Sequence, residues 1–214
     1  MDTLHWAVNF VLHLDQHLVE MLQLYGVWIY AILFLVIFAE TGLVVTPFLP
    51  GDSLLFAVGA LAAVDSSGTL SAPFAFLLLA AAAILGNTVN YSIGRAIGPA
   101  AFSGRYRLLK QEYLRRTEEF FARYGAWAVF LSRFMPIIRT FAPFVAGVGR
   151  MPAARFLAYN LAGALAWVVL FLWGGYLFGN IPLVKNHFGI VTIVIIAASL
   201  LPVAGLLLRR RAAI

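Results

Sequence analysis

Three long stretches of this sequence, residues 74–94, 156–178 and 188–208, contain no charged side chain. Each is at least as long as the roughly 20 apolar residues that an α-helix needs to cross the hydrocarbon core of a bilayer. Hydrophobic residues make up 63% of the 214 positions and charged residues only 11%, against about 45–50% and 25% in soluble domains. The sequence therefore predicts an all-α, polytopic membrane helical bundle with little room for a separate soluble domain.

The charged residues are divided unevenly along the chain. Residues 1–94 contain six acidic residues and no Lys or Arg, whereas residues 95–214 contain all 15 basic residues. Basic residues collect in the cytoplasmic loops of membrane proteins, which assigns the basic loop 95–123 and the C-terminal tail 209–214 to the cytoplasm. The net charge of +6 is thus explained by membrane topology, and the sequence predicts no nucleic-acid partner.

Two helices are predicted beside the membrane spans. Residues 1–24 carry polar side chains at helical spacing and lack the basic start of a signal peptide, so they are expected to form a retained amphipathic helix on a side of the membrane that the sequence leaves open. Residues 113–124, within the basic loop, are expected to form either a basic helix on the anionic cytoplasmic leaflet or a solvated loop.

Metal and enzyme chemistry find little support in the sequence. The chain has no Cys, and its four His residues are scattered along it, so no metal-binding motif is present. Nucleotide-binding fingerprints and the usual patterns of a catalytic nucleophile with its base are absent as well. We expect neither a metal nor a cofactor, and a protein that is not an enzyme.

Two further apolar segments, residues 27–62 and 126–149, are interrupted by proline, glycine and ionisable residues. The predicted breaks are Pro47, Pro50 and Gly51 in the first segment, and Pro136 and Pro143 in the second. Proline removes a backbone hydrogen bond from a helix, and unpaired backbone at membrane depth is tolerated only inside protein or beside a wet cavity. Since the apolar run 27–39 is also too short to span comfortably, both segments are interpreted as re-entrant hairpins.

The two broken segments resemble each other. Tyr25-Gly-Val-Trp opens the first and Tyr124-Gly-Ala-Trp opens the second, and each Tyr is followed 15 residues later by an ionisable residue, Glu40 and Arg139 respectively. The single span 74–94 between the hairpins would make them enter from opposite faces of the membrane. An inverted repeat with paired broken helices is typical of secondary transporters, whose substrate binds at the repeat interface.

Four ionisable residues fall within these broken segments: Glu40, Asp52, Arg133 and Arg139. A charged side chain in a membrane costs at least about 2.5–3.5 kcal/mol and usually faces a cavity and a partner. The four residues are interpreted either as buried ion pairs that lock the hairpins or as a transport site. In a transport site, a break at Pro136 could let both arginines bind one phosphate, while a nearby carboxylate carried a proton.

The remaining polar residues of the spans, Asn87 and Asn160, are expected to form hydrogen bonds between helices. Glycines in the spans are expected to allow close helix packing, and tryptophans, including Trp167, to lie in interfacial belts or to pack inside the protein.

Several motifs together resemble the DedA family of bacterial inner-membrane proteins, also called the SNARE-associated or VTT-domain family, which is related to lipid scramblases of the endoplasmic reticulum. They are Glu40-Thr-Gly-Leu-Val-Val-Thr-Pro47-Phe-Leu-Pro50-Gly51-Asp52, Gly86-Asn-Thr-Val-Asn-Tyr91-Ser-Ile-Gly94, Arg133-Phe-Met-Pro136-Ile-Ile-Arg139-Thr140 and Asn160-x-x-Gly163. The resemblance extends from about Tyr25 to the C-terminal arginines.

This resemblance implies two facing re-entrant hairpins and a role in returning undecaprenyl phosphate across the inner membrane, or in related phospholipid movement. It further implies dependence on the proton motive force. It also implies that Glu40 and Asp52 match the family's essential acids and that Arg133 and Arg139 match its essential arginines. The chain departs from the family at Asn87, where an Asp is common.

The expected function is therefore that of a membrane lipid transporter whose partners are a polyprenyl phosphate or phospholipid and protons; a homo-oligomer is compatible with the sequence. One alternative is a proton-coupled antiporter for small cations or drugs, in which the acids bind the cation and the arginines tune their pKa. A second is a structural membrane-homeostasis protein without transport. Replacing an arginine with Lys should separate a lipid site, which needs the guanidinium, from a role in pKa tuning.

Overall fold

A computed structural model describes residues 14–43, 51–65, 67–98 and 111–182 of the chain, together with the isolated positions 184, 190, 191, 194 and 195. Within these residues all regular secondary structure is helical, as the composition predicts. The helices, in chain order, are α1 (Leu14–Tyr25), α2 (Ile29–Gly42), α3 (Gly51–Val64), α4 (Ala72–Ile97), α5 (Gln111–Tyr124), α6 (Trp127–Leu131), α7 (Pro136–Val148), α8 (Ala153–Val168) and α9 (Gly174–Phe178).

Within the described ranges, three helical stretches of 26 residues are long and apolar enough to cross a membrane: His17–Gly42, Ala72–Ile97 and Ala153–Phe178. The second and third contain the predicted spans 74–94 and 156–178. The third consists of α8, a π-helical segment (Val169–Trp173) and α9. The predicted span 188–208 lies almost entirely outside the described residues, as do residues 1–13 and the tail 209–214.

The first long stretch corrects one expectation from the sequence. The apolar run 27–39 does not begin a short helix of its own, because α1 continues through a 3₁₀ turn (Gly26–Trp28) directly into α2. Gly26, with φ of 51°, lies at this junction. The combined stretch is long enough to span the membrane. The shortness of the apolar run 27–39 therefore no longer supports a re-entrant first segment.

The chain divides into two compact units. The first is formed by the described residues within Met1–Phe34, Pro50–Leu79 and Val168–Ser199, and the second by those within Leu35–Leu49, Ala80–Trp167 and Leu200–Ile214.

Glycine contacts bring helices close together in the first unit. A Cβ on Gly59 would collide with the backbone of Leu172, and a Cβ on Gly175 would collide with the backbone of Phe56. Asn180 Nδ2 also donates a hydrogen bond of 3.0 Å to the carbonyl of Ala60. Helix α3 therefore packs directly against the segment that contains the π-helical turn and α9, as expected for small residues in membrane helices.

The loop between α3 and α4 is ordered by a carboxylate. Asp65 Oδ1 accepts hydrogen bonds from the backbone N–H and the hydroxyl of Ser67, at 3.0 and 2.5 Å, and Oδ2 accepts one of 2.7 Å from the N–H of Leu70. Just beyond it, the N–H of Ser71 donates to the hydroxyl of Tyr30 at 2.6 Å. These bonds fix the start of α4 relative to α2 within the first unit.

Close glycine contacts recur in the second unit, between α4 and α7. A Cβ on Gly94 would collide with the backbone of Phe144, and a Cβ on Gly147 would collide with that of Tyr91. The ring of Tyr91 stacks on Phe156 with centroids 4.2 Å apart, and its hydroxyl donates to the carbonyl of Met151 at 2.5 Å. Helices α4, α7 and α8 are thus held together at one end.

Helix α5 covers the predicted helix 113–124 and shows the amphipathic arrangement expected of it. Phe120 is buried in a cluster with Ile138 and Ala142 of α7, whereas Arg115 and Glu118 are exposed. The helix therefore packs on the second unit through its apolar face, and its association with a lipid leaflet stays a prediction.

Candidate functional site

The second broken segment is interrupted at one residue, as its first proline predicts. Helix α6 ends in a 3₁₀ turn (Ser132–Phe134), Met135 is extended with φ of −131° and ψ of 99°, and Pro136 opens α7. Proline favours the first position of a helix, where its missing N–H has no partner to lose, and it disfavours the helical conformation of the preceding residue. The break places Arg133 and Arg139 on different helical segments.

The predicted break at Pro143, the second proline of this segment, is wrong. Pro143 lies inside α7, which continues to Val148. Proline cannot donate the hydrogen bond that would reach the carbonyl of Arg139, one turn earlier. Packing maintains the helix here, since Ala142 and Phe144 on either side of the proline are both buried.

Glu40 and Arg139 form a buried ion pair. Arg139 Nη2 donates to Glu40 Oε1 at 2.5 Å, and the two side chains are only 6% and 1% exposed. Glu40 lies in the last turn of α2 and Arg139 in the first turn of α7. The pair therefore ties the end of α2, in the first broken segment, to the start of α7, which follows the break in the second.

Arg133 has a different environment. Its side chain is buried, and Nη2 donates to the carbonyl of Ala83 at 3.1 Å and to Asn160 Oδ1 at 2.7 Å. Among the described residues, Nε and Nη1 have no hydrogen-bond acceptor and no carboxylate lies within ion-pair distance. Arg133 thus carries a buried positive charge, and the groups that contact it within the described part of the chain are neutral.

Trp167 connects the two arginines. The Cζ atom of Arg133 lies 5.9 Å from the centroid of the indole, and that of Arg139 lies 5.4 Å from it. Trp167 is fully buried in the last turns of α8. The face of an indole attracts cations, so one aromatic ring lies within cation–π distance of both guanidinium groups.

Two asparagines fix the surroundings of Arg133. Asn160 Oδ1 accepts hydrogen bonds from Arg133 and from Asn87 Nδ2, the latter at 3.0 Å, while Asn160 Nδ2 donates to the carbonyl of Ile84 at 3.1 Å. The predicted hydrogen bond between the spans that contain Asn87 and Asn160 is confirmed. Because the amide of Asn160 both donates and accepts, its orientation is determined, and its oxygen points to the arginine.

A third asparagine, Asn90, supports the ion pair. Its Nδ2 donates to the carbonyl of Thr140 at 2.8 Å and to that of Thr41 at 3.3 Å. These two threonines directly follow Arg139 and Glu40 in the sequence. Asn90 therefore holds the backbones that carry both partners of the ion pair.

The remaining predicted site residues are Asp52, Gly51, Pro47 and Pro50. Asp52 lies in the first unit, buried in the first turn of α3 that Gly51 begins. Carboxylates are favoured at this end of a helix by its dipole. Pro47 and Pro50 fall outside the described residues.

The sequence alone did not identify Trp167 or Asn90 as part of this cluster, and for Asn160 it predicted a hydrogen bond between helices or a position along the transport path, without linking it to Arg133. A helical signal was present: Asn160 and Trp167 are seven residues apart, as are Ala83 and Asn90, which places each pair on one face of its helix. No group of three or more His, Cys, Asp or Glu residues that could hold a metal occurs within the described part of the chain.

The arrangement can bind an anion. Two guanidinium groups meet at a buried indole, one of them already bound to a carboxylate and the other with donors that have no acceptor among the described residues. Guanidinium binds phosphate and carboxylate through charge-assisted hydrogen bonds, which are about twice as strong as neutral ones.

Comparison with known proteins agrees with a membrane role. The VTT domain model matches residues 49–177. Protein DedA of Escherichia coli (strain K12) is 48% identical over 215 residues, which cover 100% of this chain and 98% of that protein. The inner membrane protein YghB of the same strain is 34% identical over 94% of this chain and 89% of its own length.

An uncharacterized membrane protein of Mycobacterium tuberculosis (strain H37Rv) is 40% identical over 78% of this chain and 74% of its own length. No solved structure matches the chain. Because the VTT domain model covers more than half of the sequence and the similarity to Protein DedA extends over all of it, this chain belongs to the DedA family of VTT-domain membrane proteins.

Proposed function

We propose that this protein returns undecaprenyl phosphate, or a related phospholipid, across the inner membrane in a proton-coupled reaction that supports cell-envelope synthesis. The single observation that carries the proposal is the meeting of two buried guanidinium groups, Arg133 and Arg139, at the indole of Trp167. A buried cation in a membrane protein is costly without a counter-charge. The phosphate head group supplies that charge at the site while the apolar tail stays in the lipid.

Proton coupling is assigned to the ion pair. Glu40 accepts a hydrogen bond from Arg139 when it is ionised, and protonation of the carboxyl removes the charge that binds the guanidinium. Arg139 is then available to the phosphate, so proton and lipid phosphate favour the same state of the site. Asp52, the second buried acid, is proposed as a further proton carrier on the basis of the family resemblance.

We further propose that the two broken segments are re-entrant and form an inverted repeat. Packing within each unit supports this: α3 contacts the helical stretch that ends in Tyr176-x-x-Gly179, and α7 contacts the one that ends in Tyr91-x-x-Gly94. In both units glycines allow the contact. In each broken segment, the helix after the break thus packs against a helix that contains a Tyr-x-x-Gly motif, which is expected if the two halves derive from one ancestral repeat.

The cation or drug antiporter is disfavoured by the same contacts. A cation would need to approach Glu40, whose carboxylate is already bound by Arg139, in a site where Arg133 adds a second positive charge. A bound cation and the guanidinium of Arg133 would repel each other strongly in a medium of low dielectric constant.

Leaflet crossing of labelled undecaprenyl phosphate in proteoliposomes tests the proposal. Native protein, Glu40→Gln and Arg139→Lys are compared with and without a pH gradient, and Asn180→Ala serves as a control because its hydrogen bond to Ala60 lies in the first unit. We expect crossing to accelerate with the gradient only when Glu40 is present, and to fail in Arg139→Lys because an ammonium cannot replace the planar guanidinium.

No crossing by well-folded native protein under either condition would overturn the transport proposal. It would favour the structural membrane-homeostasis alternative, for which Glu40→Gln should leave the cellular phenotype unchanged as long as the variant folds.

A further inference from the structure

We propose that Asn160 and Trp167 are positioning residues that hold Arg133 as the guanidinium to which a phosphate monoester binds, while Arg139 remains under the control of Glu40. This inference rests on the proposed function and deepens it, because it gives the two arginines different tasks. The division follows from their contacts: Arg139 binds a carboxylate, whereas Arg133 contacts a backbone carbonyl, an amide and an indole.

The donors of Arg133 point to an acceptor that arrives with the ligand. A guanidinium has five N–H donors, and Nη2 alone is used by Ala83 and Asn160. The two N–H bonds of Nη1 and the one of Nε have no acceptor among the described residues, although the side chain is only 1% exposed. Buried donors of a charged group are costly to leave unpaired, and the oxygens of a phosphate are suitable acceptors for them.

Asn160 positions this guanidinium without neutralising it. Its Oδ1 accepts the shortest bond that Arg133 makes, at 2.7 Å, and its own orientation is fixed by the donor of Asn87 and by the carbonyl of Ile84. A carboxylate at this position could make the same bond to Nη2, but it would also supply the negative charge. The neutral amide leaves that charge to be supplied by the ligand.

Trp167 also positions the guanidinium of Arg133 without neutralising it. Its ring stabilises positive charge through its face, so it uses none of the N–H donors of Arg133. The same ring also lies 5.4 Å from Cζ of Arg139, so both guanidinium groups contact one indole. In the proposed site, a phosphate bound to Arg133 gains Arg139 as a second partner when Glu40 is protonated.

Asn87 helps to fix the orientation of Asn160. Its Nδ2 is a donor, which matches the acceptor oxygen of Asn160. With Asn87→Asp this donor is replaced by an acceptor, so Asn160 must turn its amide nitrogen toward the new carboxylate and withdraw its oxygen from Arg133. The introduced charge also competes with phosphate for the guanidinium.

Equilibrium binding of dodecyl phosphate tests the inference on the full-length chain purified in a non-ionic detergent, with dodecanol as the uncharged probe. The informative variant is Asn160→Asp, which keeps an acceptor for Arg133 Nη2 but adds a carboxylate. We expect it to bind dodecyl phosphate at least about tenfold more weakly than native protein, a change equal to about 1.4 kcal/mol. Asn180→Ala, which removes an amide bond in the first unit, should bind as the native protein does.

A merely structural role for Asn160 predicts a different result. If Asn160→Asp folds and binds dodecyl phosphate with native affinity, the inference is wrong. It is also wrong if native protein binds dodecanol as tightly as dodecyl phosphate, because the phosphate then contributes nothing.

Trp167 gives an independent test in case Asn160→Asp does not fold. Trp167→Phe keeps an aromatic face for the guanidinium groups, whereas Trp167→Leu removes it. Affinity for dodecyl phosphate should fall in the order native, Trp167→Phe, Trp167→Leu, and equal affinity of the two folded variants would contradict the role of the ring.

Dodecyl phosphate binding and leaflet crossing of undecaprenyl phosphate are measured on the same variants, so that failure of this inference can be told from failure of the proposed function. Dodecyl phosphate binding that depends on Asn160, in a native protein that does not move undecaprenyl phosphate, overturns transport and supports the positioning role. Transport with unchanged phosphate affinity in Asn160→Asp overturns the positioning role and leaves transport in place.

Discussion

Glu40 and Arg139 are separated by 99 residues in the sequence, and yet Oε1 of the acid and Nη2 of the arginine lie 2.5 Å apart in the interior of the second unit. Asn90 donates hydrogen bonds to the carbonyl of the residue that follows each of them. The ion pair is therefore held both at its side chains and at the backbones that carry them.

Breaking this ion pair should destabilise the protein strongly. Glu40→Gln leaves Arg139 without its anionic partner at Glu40, and the loss of one member of a buried pair costs about 3–5 kcal/mol. Thermal unfolding in detergent measures the effect. The double variant Glu40→Gln with Arg139→Gln should recover part of the loss, because no lone charge remains in that pair.

Glu119→Gln is the matched control for the ion pair. Glu119 lies 4.0 Å from Arg115 on α5, and both side chains are exposed, so the expected change is within about 1 kcal/mol. If Glu40→Gln unfolds at the same temperature as Glu119→Gln, the buried pair does not contribute to stability as described.

Asn90→Ala should weaken both stability and transport. The variant loses two hydrogen bonds to buried backbone, and unpaired buried groups cost about 1–3 kcal/mol. Ser92→Ala is a suitable control, since that hydroxyl is exposed and donates only to the carbonyl of Thr88 in its own helix. Thermal unfolding and leaflet crossing of labelled undecaprenyl phosphate should both place Asn90→Ala below Ser92→Ala; equal values would argue against a supporting role for Asn90.

Two adjacent glycines should respond differently to the same substitution. A Cβ on Gly175 meets the backbone of Phe56, which cannot move aside, whereas a Cβ on Gly174 meets nothing within 4 Å. Gly175→Ala should therefore cost about 1–3 kcal/mol through overpacking, while Gly174→Ala should be neutral or stabilising by up to about 1 kcal/mol because it reduces the freedom of the unfolded chain. Unfolding temperatures in detergent test this difference, and a drop in Gly174→Ala as large as in Gly175→Ala would contradict it.

The loop between α3 and α4 should lose order only in acid. The pKa of Asp65 is lowered, first by the hydroxyl of Ser67 and then by the N–H of Leu70. The ordinary pKa of an Asp carboxyl is about 3.9. A carboxyl whose pKa is lowered in the folded state stabilises the fold fully at pH values above this ordinary pKa, and the contribution is lost as the pH falls through the lowered pKa. Hydrogen exchange of residues 67–71, corrected for its intrinsic pH dependence, should be unchanged from neutral pH to about pH 5 and should rise at neutral pH in Asp65→Asn.

Sequence reasoning predicted the parts of the site that depend on local chemistry. The break at Pro136 follows from the geometry of the proline ring, and the charges of Arg133 and Arg139 in an apolar segment already required an unusual environment. The all-helical fold and the helices that contain residues 74–94 and 156–178 follow from apolar runs alone.

The remaining features depend on packing between distant segments, which periodicity does not record. Pro143 stays within α7 because buried neighbours maintain the helix, and α2 extends from α1 although Gly26 separates them. The role of Trp167 was hidden for a related reason: a tryptophan in a span suits a lipid interface, a packed core or a cation equally well, and only the three-dimensional arrangement distinguishes these.

The carboxylate of Glu40 lies outside the segment that the VTT domain model matches, because that match begins at residue 49. A fragment cut at this boundary would keep Arg133, Arg139 and Trp167 but bury Arg139 without the carboxylate of Glu40. The penalty for such a charge is several kcal/mol, comparable with the whole stability of many domains. The segment that the domain model matches therefore lacks one partner of the buried ion pair, and dissection of this protein should begin upstream of α2.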